Sequence, residues 1–128
     1  MYIQELMLQN FRCFDNIELE FHPELTILVG ANGSGKTSII EGAAIAISTM
    51  FVKMDGCSGR SIDKSQAHLK SYSVGSTKDV QPQYPVVVKA SAMTKKEKIV
   101  WSRSLNKSTG NTTIVDAKKM VDLGVTFQ

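Results

Sequence analysis

The rhythm of apolar and polar positions changes along the chain, and each rhythm predicts an element. Met1 to Asn10 carries Tyr2, Ile3, Leu6, Met7 and Leu8 in mixed periodicity, which predicts a strand that buries parts of both faces. After a turn around Asp15 and Asn16, the run Ile17-Glu18-Leu19-Glu20-Phe21 alternates strictly. That places Ile17, Leu19 and Phe21 on one face of a half-exposed strand, antiparallel to the first. Past His22-Pro23, Leu25-Thr26-Ile27-Leu28-Val29 is almost continuously apolar, as a central strand covered on both faces should be. From Lys36 to about Phe51, the residues Ile39, Ile40, Ala43, Ala44, Ile47 and Met50 recur at helical spacing with no proline between them, which predicts a helix.

Between Asp55 and Tyr84 serines, glycines and lysines dominate, which predicts an exposed connection with a short helix around Ser65 to Lys70. The β pattern returns in Val86 to Ala92 and Lys98 to Leu105, which flank the polar tip Thr94-Lys95-Lys96-Glu97 and form a hairpin. Asn106 to Asn111 reads as a turn and Thr112 to Val115 as a short strand. Asp116 then caps a helix that ends near Gly124. The expected organisation is one lobe: strands, loop and helix over 1–54, a polar connection over 55–85, and a hairpin with a terminal helix over 86–128.

The segment joining the apolar run to the helix carries the chemistry. Gly30-Ala31-Asn32-Gly33-Ser34-Gly35-Lys36-Thr37 meets the pattern Gly-x₄-Gly-Lys-Ser/Thr, and it has the context that pattern requires, a buried strand before it and a helix after it. A triphosphate needs several N–H donors converging on anionic oxygens with no side chain in the way. Gly30, Gly33 and Gly35 allow the backbone to wrap the β-phosphate, with Asn32 and Ser34 between them, and the positive end of the helix helps hold the anion. Lys36 would reach the β- and γ-phosphates as a point charge and stabilise the leaving γ-phosphoryl group. Thr37 would place its hydroxyl on Mg²⁺, and Ser38 could donate to the α-phosphate. The expected ligands are therefore ATP and Mg²⁺.

Composition changes this picture little. The chain has 128 residues, enough for a core without staples, and its net charge of +3 is common to many enzymes. Cys13 and Cys57 belong to no CxxC or Cys/His cluster, which sets a zinc site aside. No apolar run approaches the roughly 20 residues that span a bilayer, so no membrane association and a cytoplasmic location are expected.

A phosphate loop alone does not choose among motor ATPases, GTPases and small kinases. Thr94-Lys95-Lys96-Glu97 is a poor base-reading loop, which disfavours GTP, and Arg60 is a weak lid arginine for a phosphotransferase acting with Lys36. The flanks decide further. Leu8-Gln9-Asn10-Phe11-Arg12-Cys13-Phe14, the alternating strand and Leu25 to Glu41 together resemble the amino terminus of the RecF, SMC and OLD-like group of ABC-type ATPases. The resemblance is close over about the first 45 residues and looser beyond.

It implies an α/β fold: the amino-terminal lobe of an ABC-type head, a partial P-loop NTPase with an antiparallel β subdomain. It also implies that Arg12 lies near the nucleotide, that Asn32 follows the loop toward the γ-phosphate, and that Cys13 and Phe14 pack the turn. Hydrolysis in that group further needs an apolar strand ending in Asp-Glu, a Leu-Ser-Gly-Gly-like signature and a switch histidine. Asp116 is followed by Ala117, and His22 and His68 stand in the wrong segments, so none of these is identified in the sequence. Gln66, Gln81 and Gln83 are candidates for a Mg²⁺-sensing glutamine, with none assigned.

The expectation is thus the amino-terminal part of an ATPase, either truncated or completed by another chain. Its partners would be the remainder of the ATPase domain and a second head in a homodimer, with nucleic acid as the object of an ATP-driven switch in DNA repair, chromosome handling or phage defence. The alternatives are a P-loop phosphotransferase and a nucleotide-binding interaction module without turnover, the latter using bound nucleotide or the Val86 to Leu105 hairpin.

Overall fold

The computed structural model describes residues 2–23, 35–51, 61–108 and 113–115. The predicted apolar strand Leu25 to Val29, the loop residues Gly30 to Ser34, Arg60 and the predicted helix after Asp116 lie outside the described residues. Strands β1 (Tyr2–Phe11) and β2 (Phe14–Glu20) form the antiparallel pair the alternation predicts, with Leu6 opposite Leu19 and Leu8 opposite Ile17. Helix α1 (Lys36–Ile47) runs on into a single 3₁₀ stretch, Ser48–Phe51.

Further along come β3 (Leu69–Val74), β4 (Thr77–Pro82), β5 (Val86–Met93), β6 (Lys98–Leu105) and β7 (Thr113–Val115). The main sheet has the order β2-β1-β5-β6-β7 and every pairing in it is antiparallel. Side chains on a strand alternate between faces, so register fixes what the sheet turns toward the helix. Leu6 and Leu8 of β1, Val86, Val88, Ala90 and Ala92 of β5, and Ile99, Trp101 and Leu105 of β6 are buried there with Ile39, Ile45 and Ala46 of α1. Trp101 adds a directional tie, because its indole Nε1–H donates to the carbonyl of Ala46 at 3.0 Å.

Two expectations need correction. The helix does not bury the stripe that contains Ile40 and Ile47; these are 62% and 38% exposed, and the buried positions are Ile39, Gly42, Ile45 and Ala46. Gly42 explains the roll. Without a Cβ it admits Leu8, whose Cδ2 stands 2.5 Å from where that Cβ would be, so the smallest residue of the helix turns toward β1.

The polar connection also holds a hairpin, β3 paired with β4, and in place of a helix over Ser65 to Lys70 there is a 3₁₀ turn, Lys64–Gln66, followed by strand. Every residue of β4 is exposed, so neither face needed apolar residues and no alternation marked the strand. Main-chain pairing around Gly75, at φ 62°, holds it instead. Among the described residues no helix is long and apolar enough to cross a membrane.

Candidate functional site

The site is built where the β1–β2 turn meets the start of α1. Gly35 is the N-cap of α1 at φ 98°, a left-handed conformation that suits glycine. A Cβ there would meet Phe14 Cζ and stand 3.0 Å from Cys13 Sγ, so the turn residues pack directly against the bare backbone at the end of the loop. This is the packing role expected for Cys13 and Phe14.

The first intrahelical bond is Ile39 N–H to Gly35 O at 3.0 Å, and the N-cap residue, a glycine, makes no side-chain cap bond. The first turn carries no acidic residue either. The N-cap residue thus offers the leading amides of α1 no side-chain acceptor of its own, and the helix dipole there is not offset by a carboxylate within the turn. An anion fits that environment, so the residues present suit a bound phosphate.

The turn itself is held tightly. Asn10 and Arg12 both have positive φ, 51° and 55°. Asparagine tolerates this region, whereas for arginine it costs roughly 1–2 kcal/mol. The polar connection offsets that cost. Arg12 N–H donates to Gln66 O at 2.6 Å, and His68 N–H donates to Asn10 O at 2.8 Å. The ring nitrogen His68 Nδ1 lies 2.7 Å from the Arg12 carbonyl, which can only accept, so Nδ1 carries the proton. Asn10 Nδ2 donates to Pro85 O at 2.9 Å.

From this turn Arg12 sends Nε and Nη2 to the two carboxylate oxygens of Glu41 at 2.9 and 3.0 Å, a bidentate pair with α1. The arginine side chain is 41% exposed and the glutamate 22%. At that exposure the pair is worth at most about 1 kcal/mol.

Between these elements lies an open cleft of about 640 Å³. Arg12, Gly35, Lys36, Thr37 and Ser38 line one side, and Ser65 and His68 the other. Of the residues the sequence singles out, Arg12, Gly35, Lys36, Thr37 and Ser38 are therefore brought together, while Gly30, Asn32, Gly33 and Ser34 lie outside the described residues. Sequence reasoning did not assign Glu41, Ser65 and His68 to this place. None of the three had a local signal, since the Arg12–Glu41 pair spans 29 positions and Ser65 and His68 come from the polar connection.

The glutamines considered for Mg²⁺ have other partners. Gln66 is buried and its Oε1 accepts from Asp63 N–H at 2.9 Å, closing a capping box, and Gln81 Nε2 donates to Asp79 at 2.8 Å. Gln83 Nε2 donates to the Gln81 carbonyl at 3.1 Å.

A second cleft, about 460 Å³, opens on the other face of the sheet between Glu5, Glu18, Glu20, Lys89 and Lys98. Its three glutamates outnumber its two lysines, and Lys98 lies 3.4 Å from Glu5, so it does not favour a polyanion. The cleft beside α1 is the one whose lining suits a phosphate.

Comparison with known proteins agrees with this geometry. A family model described as an AAA domain matches residues 5–124. A DNA replication and repair protein RecF of Clostridium acetobutylicum is 54% identical over 41 residues, 32% of this chain and 11% of that protein. RecF of Lachnoclostridium phytofermentans is 40% identical over 73 residues, 55% of this chain and 20% of that protein. The chain thus spans no more than about a fifth of these relatives. In fold it is similar to a solved SMC ATPase structure from work on ATP-driven dimerization and DNA-stimulated activation. The TM-score is 0.64 at 18% identity, over 95% of this chain and 76% of that one.

Proposed function

The chain belongs to the AAA domain family, with the sequence and fold of the amino-terminal part of a RecF/SMC-like ABC-type ATPase, and on that premise we propose that its cleft binds Mg·ATP. The observation that carries the proposal is the start of α1, where left-handed Gly35 is followed by Lys36, Thr37 and Ser38 with no acidic residue in the first turn, lining one cleft together with Arg12.

In this reading the amides of the glycine loop and of the first helical turn hold the β- and γ-phosphates, with Gly30, Asn32, Gly33 and Ser34 completing the cradle. Lys36 adds the point charge that stabilises the γ-phosphoryl group, and Ser38 donates to the α-phosphate. Thr37 is the residue that would hold Mg²⁺, which when bound neutralises charge on the β- and γ-oxygens. Arg12 reaches the phosphates from the turn.

In the complete protein the reaction is ATP hydrolysis, supported electrostatically by Lys36 and the main-chain donors. By analogy with the RecF and SMC relatives, that reaction drives a nucleic-acid-associated switch in a cytoplasmic homodimer of heads. The exposed Ile40 and Ile47 of α1 support the view that more of the ATPase domain packs here, since two isoleucines seven residues apart make an apolar stripe on the helix.

The test is ligand-induced stabilisation. Mg·ATP at a hundred times its Kd should stabilise the wild-type chain by about 2.7 kcal/mol, and Lys36→Ala should lose that effect. Equal stabilisation of the mutant would defeat the assignment.

A further inference from the structure

The Arg12–Glu41 pair is not explained by stability. A half-exposed ion pair contributes little, and that little is offset by the left-handed backbone at Arg12. Yet the arrangement is over-determined: the turn is bonded through both the N–H and the carbonyl of Arg12, and the guanidinium is gripped at two atoms by a helix that begins at the phosphate loop. Strain that the surroundings hold in place points to function at that residue.

We propose that Glu41 is a positioning residue: its carboxylate holds the Arg12 guanidinium at the mouth of the cleft so that the remaining N–H groups face the nucleotide phosphates. A guanidinium has five N–H donors, and Glu41 uses two of them, one on Nε and one on Nη2. Three are left, and both donors of Nη1 are among them. A guanidinium already fixed in orientation loses less rotamer freedom when it meets an anion. Glu41 lies five positions beyond Lys36, so the residue that grips the arginine and the lysine that meets the phosphates share one rigid helix. The spacing between the two cations is thereby set by α1 and not by the flexibility of the arginine.

This inference rests on the nucleotide reading above and makes a prediction that reading does not. If Glu41 orients Arg12, its removal weakens Mg·ATP binding only while Arg12 is present. If it merely places a negative charge near a polyanion, its removal strengthens binding.

The experiment is a double-mutant cycle on the full chain with Mg·ATP, using Arg12→Ala, Glu41→Ala and the double variant, with Glu41→Gln as the isosteric control and Lys36→Ala alongside. Each single change should weaken binding by about five- to tenfold, and the double variant should bind like Arg12→Ala alone. Glu41→Gln, which keeps one acceptor, should fall between wild type and Glu41→Ala. Melting temperatures without nucleotide should move little, because the pair contributes little to stability, and that separates positioning from a purely structural role.

Tighter binding in either Glu41 variant overturns the proposal, as does an equal loss from Glu41→Ala with and without Arg12. If those results come with binding that Lys36→Ala abolishes, only the role of Glu41 falls. If the folded wild-type chain binds no Mg·ATP, the nucleotide reading falls and this inference falls with it.

Discussion

Phe14 closes against Gly35, and the space a Cβ would occupy at position 35 is already taken by the tip of the Phe14 ring. The turn after β1 and the end of the phosphate loop are thus one packed unit, and glycine is needed both for its φ of 98° and for its missing side chain. Gly35→Ala should cost roughly 1–3 kcal/mol and should also remove Mg·ATP stabilisation. Urea unfolding with and without nucleotide checks both parts. A variant as stable as wild type would show that Phe14 can swing aside freely.

Gly42 faces a conflict of two terms. Alanine is the better helix former by about 1 kcal/mol. Against this, its Cβ would stand 2.5 Å from Leu8 Cδ2, and Leu8 is fully buried with little room to move. Overpacking of that kind costs about 1–3 kcal/mol, so the packing term wins and Gly42→Ala should lower the urea midpoint. A gain in stability would mean that α1 lifts from β1 at no cost.

Arg103 is 4% exposed on the helix-facing side of β6. Its Nη1 donates to Ser48 Oγ at 3.4 Å and Thr49 Oγ1 at 3.5 Å, long bonds, while its Nε has no hydrogen-bond partner among the described residues. Burial pushes the guanidinium below its usual pKa, disfavouring the charged form in the fold. A folded-state value below the unfolded one means stability would rise with pH only near deprotonation, and arginine stays protonated throughout the range where proteins fold. The desolvation cost is therefore constant at ordinary pH, offset in part by the nearby C-terminal end of α1. Arg103→Met should be neutral or stabilising by up to about 2 kcal/mol, with no change in pH dependence. Chemical denaturation across the neutral range tests this, and a clear loss of stability would show that the bonds to the two hydroxyls outweigh desolvation.

At the far wall of the cleft, the Ser65 hydroxyl donates to Asp63 Oδ2 at 2.7 Å and holds that carboxyl below the usual carboxylate range, helped by backbone N–H groups and by Lys64. A depressed acid contributes stability at pH above its unfolded value and loses it as pH falls through the lower folded value. Ser65→Ala should raise the Asp63 pKa toward the ordinary range, visible in the carboxyl carbon shift during an acid titration. An unmoved titration would assign the depression to the backbone donors.

Much of the molecule was legible because its signals are local. The strict alternation from Ile17 to Phe21 marked β2, and the apolar runs beside Thr94 to Glu97 marked the β5–β6 hairpin. The start of α1 at Gly35, Lys36 and Thr37 was legible for a different reason, since the Gly-x₄-Gly-Lys-Ser/Thr pattern requires a helix directly after it. The β3–β4 hairpin was not legible: a strand exposed on both faces, such as Thr77–Pro82, has no hydrophobic period to read.

Residue order alone therefore determined the antiparallel pair and the helix after the loop, and it singled out the side chains proposed to face phosphate, because each follows from spacing within a few residues. Only the tertiary structure decided which side of α1 turns inward, since that depends on Leu8 finding Gly42 across a gap of 34 positions. It alone joined Arg12 to Glu41 and brought Ser65 and His68 to the cleft. Contacts between residues distant along the chain are chosen by packing and by the satisfaction of polar groups, and neither leaves a periodic trace in the sequence.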